Sequence, residues 1–250
     1  SMVEDNRHTV CISSQIGCNL DCDFCATATM GIIRNLNTGE IIDQLVYIRG
    51  KVETPITNIV FMGMGEPFLN YERVLKAADI FHNPKGFGLG AHRITISTAG
   101  ILPQINKFYK QDRKYKLAIS LNASNDEIRS KIMPINNKWP IIDLVAIGRK
   151  HAHRNRKVMF EYVLLAGIND SPENARELAR LLRGVDCKLN VIPYNETDGK
   201  YSRPENEAIE SFLEVLSVNQ KGYRVMVRWS KGQDIDAGCG QLAVKQESTE

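Results

Sequence analysis

Short apolar runs rich in Val, Ile and Thr alternate along the chain with amphipathic stretches of helical period. The apolar runs predict strands at Thr9–Ser13, Thr57–Gly63, Arg93–Thr98, Lys116–Leu121, Lys157–Leu164, Lys188–Pro193 and Tyr223–Trp229. The amphipathic stretches predict helices at Thr38–Arg49, Tyr71–Phe81, Ile101–Tyr109, Ile141–His151, Pro172–Leu182 and Glu205–Val218. Repeated strand–helix units are typical of parallel strands joined by right-handed crossovers. We therefore predict an α/β fold, a partial (βα)6 TIM-like barrel with an additional C-terminal strand.

The composition excludes several other classes of protein. Hydrophobic residues make up 43% of the 250 residues and charged residues 24%, close to the averages for globular chains. These values exclude a disordered tail, a collagen-like fibre and a coiled coil. No apolar run approaches the roughly 18 residues that a transmembrane helix needs, so we expect no membrane contact. We expect residues 1–8 to be a tag remnant and N-terminal extension, residues 9–243 to be one core, and residues 244–250 to be a tail.

The net charge and the cysteines indicate which binding partners and which cellular compartment to expect. A net charge of +3 neither demands nor excludes a nucleic-acid partner. The 6 cysteines are too few for a disulfide-built scaffold, and most of them crowd near the start, at Cys11, Cys18, Cys22 and Cys25. Clustered thiols in a sequence without a secretion signal point to metal or redox chemistry in a reducing compartment. We therefore expect a cytoplasmic protein.

The loops that leave the carboxyl ends of parallel strands build the active site in folds of this kind. The loop after the first predicted strand carries Cys18, Cys22 and Cys25 with the spacing Cys-x3-Cys-x2-Cys. Three thiolates on one short loop can hold a cubane 4Fe–4S cluster and leave one iron open for a chelating ligand. The alternative is a structural zinc site with Cys11 as the fourth ligand, although Cys11 lies far from Cys18 for the usual zinc-binding pair.

The cysteine spacing resembles the signature of radical S-adenosylmethionine (SAM) enzymes. In that superfamily the open iron binds the amino and carboxylate groups of SAM and supplies an electron, which yields a 5′-deoxyadenosyl radical. The resemblance implies that the three cysteines hold the cluster and that SAM is a second cofactor. The second predicted strand leads into Gly63-Met64-Gly65-Glu66-Pro67, which resembles the segment that contacts the SAM amino group in these enzymes. Gly65 and Glu66 are therefore expected to bind SAM, with the Glu66 carboxylate bonded to its ammonium.

Further segments between about Glu4 and Ala243 match one family within this superfamily. They are Thr9–Gln15, the cysteine loop, Arg34–Leu36, Met62–Pro67, Asn125–Arg129, Met133–Asn136 and Asp234–Leu242. The family that they resemble is the RlmN/Cfr RNA methyltransferases, which methylate adenosine at carbon 2 or carbon 8. Leu69-Asn70 after Pro67, and Pro193 before Tyr194, are more similar to RlmN than to Cfr. The resemblance therefore implies a barrel of the radical SAM type and an RNA methyltransferase for which carbon 2 is favoured, with carbon 8 as the alternative.

The resemblance assigns a role to two cysteines outside the cluster. An amidine carbon of adenine is electrophilic and cannot attack the SAM methyl group directly. In the family, a thiolate at the position of Cys239 first takes a methyl group from one SAM by displacement. Radical chemistry with a second SAM then activates this methyl group, which adds to the adenine ring. Cys11 matches the cysteine that releases the product by attacking the Cys239 sulfur, which forms a transient disulfide.

Several residues near the ends of predicted strands match family positions that contact SAM. They are Ser97, Ser120, Leu121, Asn122 and Asn195. Asn122 departs from the family pattern, which usually has His there, and an amide cannot take up a proton near neutral pH. The resemblance therefore carries a binding role over to Asn122 but no proton transfer.

The resemblance also implies the partners. We expect the substrate to be 23S ribosomal RNA, with transfer RNA as a second candidate, and we expect a monomer that receives electrons from a flavodoxin or ferredoxin. Candidates for phosphate contacts, on loops at the cluster side, are Arg34, Arg129, Lys131 and Lys138. RlmN proteins also carry an N-terminal RNA-binding domain and a proton-accepting glutamate upstream of the position of Cys11. We therefore expect this sequence to be a catalytic core without either.

The residues alone do not exclude two other classes of protein. A non-catalytic RNA-binding module with structural zinc would bind one zinc ion and ignore SAM. A radical SAM enzyme with a different outcome, such as a glycyl-radical activase, would require neither Cys11 nor Cys239.

Overall fold

Strands and helices alternate through most of the computed structural model, which describes residues 2–4, 7–151, 157–196, 200–229 and 241–242. The strands are β1 (Met2–Glu4), β2 (Arg7–Cys11), β3 (Gln15–Gly17), β4 (Ile32–Asn35), β5 (Asn58–Phe61), β6 (Ile94–Thr98), β7 (Lys116–Ser120), β8 (Met159–Leu164), β9 (Lys188–Pro193) and β10 (Arg224–Val227). The helices are α1 (Thr38–Arg49), α2 (Tyr71–His82), α3 (Leu102–Lys110), α4 (Asp126–Ile132), α5 (Ile141–His151), α6 (Pro172–Leu181) and α7 (Asn206–Val218). Within these ranges, no helix combines the length and the apolar character needed to span a bilayer.

One eight-stranded sheet carries the fold, in the order β1-β2-β5-β6-β7-β8-β9-β10. All neighbours from β2 to β10 in this order are parallel, and β1 is antiparallel to β2. The parallel strands follow one another in chain order, as repeated βα units with crossovers of one hand require. The predicted α/β fold, a partial barrel whose last parallel strand is C-terminal, is therefore confirmed together with all of the predicted strands.

The parallel strands are almost fully buried because helices cover the sheet. All five residues of β6 are buried, and so are the last five of the six residues of β9. Such apolar strands are expected where both faces of a parallel sheet are covered. On α2 the buried side is formed by Tyr71, Val74, Leu75, Ala77, Ala78 and Phe81. This packing fixes the strands, so that the polar residues at their carboxyl ends are held on a rigid frame.

Helix α6 shows how closely local sequence signals set the element boundaries. Ser171 caps its N-terminus, where the hydroxyl accepts a hydrogen bond from the Asn174 backbone N–H at 3.1 Å. Pro172 occupies the first helical position, where its lack of an N–H costs nothing. Gly184 has a φ of +73° just after the end of the helix, a conformation that favours glycine. These three local signals explain why the helix predicted at Pro172–Leu182 forms there.

The sequence pattern did not predict β1, the β3–β4 hairpin or α4. Strand β1 pairs with β2, so the main sheet begins at Met2 rather than at Thr9. All four residues of β4 are exposed, so no apolar alternation marks it. Helix α4 has seven residues, two turns, which is too short to establish a helical period, although Asn125 caps its N-terminus by accepting from the Ile128 N–H.

Candidate active site

A cavity opens where strands β5 to β9 end, and residues from distant parts of the chain line it. Most of the predicted site residues are in its wall: Cys18, Cys22, Cys25, Gly65, Glu66, Ser97, Ser120 and Asn122. Among the described residues, Cys11, Leu121 and Asn195 are not part of this lining. Cys239 lies outside the described residues. The fold therefore brings the cysteine loop and the strand-end residues to one space.

The β3–β4 hairpin brackets the cysteine loop. The Cys18 backbone N–H donates to the Gly31 carbonyl oxygen at 3.0 Å, which closes the base of the loop. Within the loop, the Cys25 N–H donates to the Cys22 carbonyl oxygen at 3.0 Å. Asp21 has a φ of +51°, which turns the chain sharply before Cys22. This folded loop presents its three thiols to the cavity.

The chemistry of the three thiols fits a positively charged group. Burial raises the pKa of the Cys18 thiol to about 11 and raises the pKa of Cys22 further above its ordinary value, and neighbouring thiolates add to both shifts. Thiols in such a place ionise only when a cation compensates their charge, as iron does on coordination. A cubane cluster takes its thiolates on separate irons. Within the described ranges, no three His, Cys, Asp or Glu side chains are placed to chelate a single metal ion.

Glu66 clamps the glycine-rich turn to the end of β6. Its two carboxylate oxygens accept hydrogen bonds from the backbone N–H groups of Ala99, at 2.7 Å, and Phe68, at 2.9 Å. Gly65 has a φ of +90°, and a Cβ atom there would lie 2.4 Å from the Gln15 Cβ, so only glycine fits. Burial raises the pKa of the Glu66 carboxyl to about 7. Because each carboxylate oxygen has a second lone pair, Glu66 can still accept a hydrogen bond from a ligand in the cavity.

Glu161 on β8 is a cavity residue that the sequence analysis missed. Its Oε2 accepts a hydrogen bond from the Ser97 hydroxyl at 3.0 Å, while its Oε1 is buried without a hydrogen-bond partner among the described residues. Strand pairing places Ser120 opposite Glu161. The signal that could have found it is a carboxylate in the middle of an otherwise buried strand, since charged residues are almost never fully buried unless they are paired.

Asn122 holds the chain rather than pointing freely into the cavity. Its side-chain oxygen accepts from the Val163 backbone N–H at 3.0 Å, and its amide donates to the Met133 sulfur at 3.3 Å. Its φ of +56° is a conformation that asparagine tolerates better than most residues. The preceding Leu121 is fully buried. These contacts give both residues a role in shaping the loop after β7.

The chain after β9 holds the cysteine loop from its other side. Asp23, between two of the cluster cysteines, accepts a hydrogen bond from the Tyr201 hydroxyl at 2.5 Å and forms an ion pair with Lys200. The Tyr194 hydroxyl donates to the Phe24 carbonyl oxygen at 3.3 Å. Asn195, which directly follows Tyr194, is 2% exposed. The loop that carries the three cysteines is thus fixed against β9 as well as against the hairpin.

The described residues that follow Cys239 in the sequence also reach the cysteine loop. The Thr27 hydroxyl donates a hydrogen bond to the Leu242 carbonyl oxygen at 2.5 Å. The Gln241 side chain donates to the Glu196 carbonyl oxygen at 2.8 Å, just after β9. Thr27 follows Cys25 by two residues, so Leu242 lies directly beside the cluster loop.

Arg129 is buried inside the protein, whereas the sequence led us to expect it on a surface that contacts phosphate. It is fully buried, and its guanidinium donates to the backbone carbonyl oxygens of Ala99, Ser120 and Leu121 at 2.7 to 3.0 Å. The side chain of a cationic residue on such a loop can point to solvent or into the core, and the sequence alone does not give its direction. The Arg34 guanidinium is exposed but pairs with Glu40 at 2.7 Å.

Comparisons with known proteins identify the family of the chain. The model of the Radical SAM superfamily matches residues 12–179. A dual-specificity RNA methyltransferase RlmN from Marinobacter nauticus is 42% identical over 254 residues, covering 98% of this chain and 68% of that protein. The corresponding protein from Lawsonia intracellularis is 48% identical over 244 residues, covering 94% of this chain and 67% of that protein. The chain belongs to the RlmN family of radical SAM RNA methyltransferases.

A solved structure of a radical SAM methyltransferase has the same fold. A radical SAM methyltransferase from Sphaerobacter thermophilus superposes with a TM-score of 0.90 at 46% identity, covering 96% of this chain and 71% of that one. This chain therefore spans about two thirds of the length of its relatives. It is a SAM-dependent RNA methyltransferase, and membership of the superfamily implies a 4Fe–4S cluster and SAM as its cofactors. The thiols of Cys18, Cys22 and Cys25 are partly buried and line one cavity together with Glu66, as a cluster beside a SAM site requires.

Proposed function

We propose that this RlmN-family enzyme methylates carbon 2 of an adenosine in 23S ribosomal RNA, and in transfer RNA as a second substrate, through a methylated Cys239. The observation that carries the proposal is the hydrogen bond from Thr27 to Leu242, which holds the end of the Cys239 segment against the cluster loop. Cys239 precedes Leu242 by three residues, and so short a chain spans at most about 11 Å. The relatives named dual-specificity RNA methyltransferases support two kinds of RNA substrate.

A cysteine relay solves a chemical difficulty of this reaction. The electrophilic carbon of the adenine ring cannot displace the sulfonium of SAM, whereas a thiolate can. The Cys239 thiolate forms a bond to the methyl carbon, the bond from that carbon to the sulfonium breaks, and S-adenosylhomocysteine leaves with the electron pair. The cluster, when bound, supplies the one-electron chemistry with SAM that activates the methyl group for addition to the ring.

Cys11 completes the relay in this proposal. It ends strand β2, which leads directly into the cysteine loop, so its side chain belongs to the same rim of the sheet. The Cys11 thiolate attacks the Cys239 sulfur and a disulfide forms, while the bond from that sulfur to the methylene carbon on the adenine breaks. The electron pair of the broken bond passes to the methylene carbon and the adenine ring, and this carbon takes up a proton from water to become the methyl group.

The charges of the cavity suit SAM. Glu66 and Glu161 are both buried carboxylates in its wall, and SAM carries an ammonium and a sulfonium cation. In a space shielded from water, opposite charges attract more strongly than in solution. The carboxylates therefore complement the two cationic groups of the ligand.

The proposal also covers the cellular compartment, the oligomeric state and the electron donor. We expect a cytoplasmic, monomeric enzyme that receives electrons from a flavodoxin or ferredoxin, because free thiols and a reduced cluster need a reducing compartment. Light scattering tests the monomer. Reduction of the reconstituted cluster by each purified donor, followed by its absorbance, tests the electron transfer.

Nucleoside mass spectrometry of RNA incubated with the anaerobically reconstituted enzyme tests the proposal. We expect 2-methyladenosine from the wild type, no methylation with Cys239→Ala, and a protein–RNA adduct that persists with Cys11→Ala. Cys187→Ala is the matched control, because Cys187 is 1% exposed and burial raises the pKa of its thiol to about 12, which keeps it unreactive. Formation of 8-methyladenosine would overturn the carbon 2 assignment, and normal turnover in Cys239→Ala would overturn the relay.

A further inference from the structure

Trp229 is a large apolar side chain that lies on the surface beside the cavity and is 53% exposed. It follows β10, which is parallel to β9, so it leaves the sheet at the same edge as the cavity. The backbone N–H of the preceding Arg228 donates to the Val191 carbonyl oxygen at 2.8 Å, which holds the chain against β9 up to this point. The Arg228 guanidinium lies 3.6 Å from the sulfur of Met62, a residue of the cavity wall.

A guanidinium covers one face of the Trp229 ring. The Arg203 Cζ atom lies 5.4 Å from the ring centroid, within the range of a cation–π contact. Arg203 belongs to the segment between β9 and α7, where its backbone N–H donates to a carboxylate oxygen of Glu196 at 3.3 Å. The contact orients the indole. Because about half of the residue is still exposed, the opposite face of the ring is open to a planar ligand.

A similar pair on α1 shows that a cation beside an exposed ring does not by itself define a site. The Lys51 ammonium lies 5.7 Å from the centroid of Tyr47, which is 69% exposed. Tyr47 is near the end of α1, and helices that connect parallel strands run back toward the amino ends of those strands. Single exposed apolar residues are also common on protein surfaces. Trp229 differs from Tyr47 in its place beside the cavity of an enzyme that acts on RNA.

Chemistry on an adenine ring requires the base to leave its stack. The target atom is out of reach inside a stacked helix, so enzymes that modify bases turn the nucleotide out or use single-stranded substrate. The neighbouring base then loses a stacking partner. Unstacked RNA bases commonly stack on aromatic side chains, and a nearby arginine attracts the phosphate backbone. A rigid indole backed by a guanidinium offers both interactions.

We propose that Trp229 is an RNA-binding residue that stacks on the base next to the target adenosine. The indole replaces the stacking that this base loses when the adenosine enters the cavity, and it thereby fixes the position of the RNA at the cavity. Arg203 orients the ring from behind and adds a positive charge near the phosphates. The inference rests on an RNA substrate, but it is independent of which adenine carbon is methylated and of the Cys239 relay.

Binding of a fluorescein-labelled transfer RNA transcript to the anaerobically reconstituted enzyme, followed by fluorescence anisotropy without reductant, tests the contact. We expect Trp229→Ala to bind about 5- to 100-fold more weakly than the wild type, as loss of one base-stacking ring implies. Trp229→Phe keeps an aromatic face and should recover most of that loss. Tyr47→Ala removes the matched ring on α1 and should bind as the wild type does. Wild-type affinity in Trp229→Ala, or equal losses in Trp229→Ala and Tyr47→Ala, would overturn the proposal.

The dependence of binding on salt separates stacking from charge attraction. Stacking releases no counterions, so the loss in Trp229→Ala should be the same factor at about 50 mM and about 200 mM salt. Arg203→Met should instead reduce the slope of affinity against salt concentration. If the loss in Trp229→Ala disappeared at the higher salt concentration, the ring would act only by placing the guanidinium, and the stacking contact would be rejected.

Kinetics separate RNA binding from a role in the chemical step or in the fold. Trp229→Ala should raise the KM for RNA and leave kcat, iron content and melting temperature unchanged, because the ring is half exposed. A lower kcat with an unchanged KM would contradict the proposal. Because the anisotropy measurement involves no turnover, its outcome is separate from the carbon 2 proposal.

An abasic nucleotide on the 5′ or the 3′ side of the methylated adenosine identifies the stacked base. The wild type should bind one of these two RNAs about 5- to 100-fold more weakly than the intact RNA. Trp229→Ala should bind that RNA and the intact RNA alike, because the contact is already absent. The wild-type comparison does not depend on how well a variant folds. Equal wild-type affinity for both abasic RNAs and the intact RNA, or additive losses from the abasic nucleotide and the substitution, would overturn the assignment.

Discussion

Thr27 and Leu242 are joined by a hydrogen bond of 2.5 Å although 215 residues separate them in the chain. Thr27 is the second residue of the short 3-10 turn Ala26–Met30 that follows Cys25, and it is 3% exposed. The bond therefore links the loop that holds the cluster cysteines to the segment that follows Cys239. A methyl relay between a radical site and a thiol requires such closeness of the two segments.

Thr27→Val should weaken methyl transfer without removing the cluster. Valine has the shape of threonine but cannot donate the hydrogen bond, whose loss corresponds to about 1 kcal/mol, or roughly a five-fold change in an equilibrium. We expect RNA methylation to slow several-fold while iron content stays the same. Thr29→Val is the control, because the Thr29 hydroxyl donates its hydrogen bond to the Ala26 carbonyl oxygen within its own turn. Equal rates of RNA methylation for both variants would show that the hydrogen bond between Thr27 and Leu242 is unimportant for methyl transfer.

Arg129→Met should strongly destabilise the protein. The Arg129 guanidinium binds the carbonyl oxygens at the ends of β6 and β7 and also the Asn136 side chain, at 3.0 Å. Removing it leaves several buried acceptors unpaired, so we expect a loss of about 3 kcal/mol or more in the free energy of unfolding, measured by urea denaturation.

Lys131→Met is the counterpart of Arg129→Met on the exposed face of the same helix. Lys131 forms an i,i+4 ion pair with Glu127, and both side chains are mostly exposed. Such pairs contribute only about 0.3 to 0.5 kcal/mol. If the two substitutions had similar effects on stability, the structural role of Arg129 would be refuted.

Cys22→Ala should abolish the cluster. Anaerobic reconstitution of the wild type should give about four irons per chain, as a cubane site implies. Without the Cys22 thiolate the loop has two donors, and we expect iron content near zero and a colourless protein. Cys187→Ala, which alters a buried thiol outside the cavity lining, should retain its iron. Full iron occupancy in Cys22→Ala would disprove the assignment of the ligands.

Acid should weaken the connection between the hairpin and α1. The Arg34 guanidinium and the Asn37 N–H hold the pKa of the Glu40 carboxyl at about 2, below its ordinary value of 4.5. Stability from this depressed pKa is fully present above pH 4.5 and is lost as the pH falls through 2. Glu40→Gln should therefore lower the melting temperature at pH 6 but not at pH 2. A difference from the wild type that is the same at both pH values would contradict this cause.

The sequence predicted the elements of the sheet well because each strand is a buried apolar run between helices. Strands β7 and β9 begin at the predicted residues, Lys116 and Lys188. The β3–β4 hairpin escaped prediction because an exposed strand has no apolar alternation, and α4 escaped because two turns are too few for a period. The fold could therefore be predicted from the sequence because its strands are buried in the sheet.

The candidate site was predictable where chemistry is encoded in spacing, as in Cys18, Cys22 and Cys25. It was less predictable where function depends on the direction of a side chain. Arg129 was expected to face RNA but is buried among carbonyl groups. Glu161 was overlooked because its strand is otherwise apolar, and only the folded structure shows that it faces the cavity.

The central claim of this account is that Cys239 carries the methyl group. Peptide mass spectrometry of the protein purified from cells tests it most directly, because the first half of the relay needs only SAM. We predict a Cys239 peptide heavier by one methyl or methylene group, with unmodified Cys187 as an internal reference. An unmodified Cys239 peptide from protein that is active on RNA would contradict the claim.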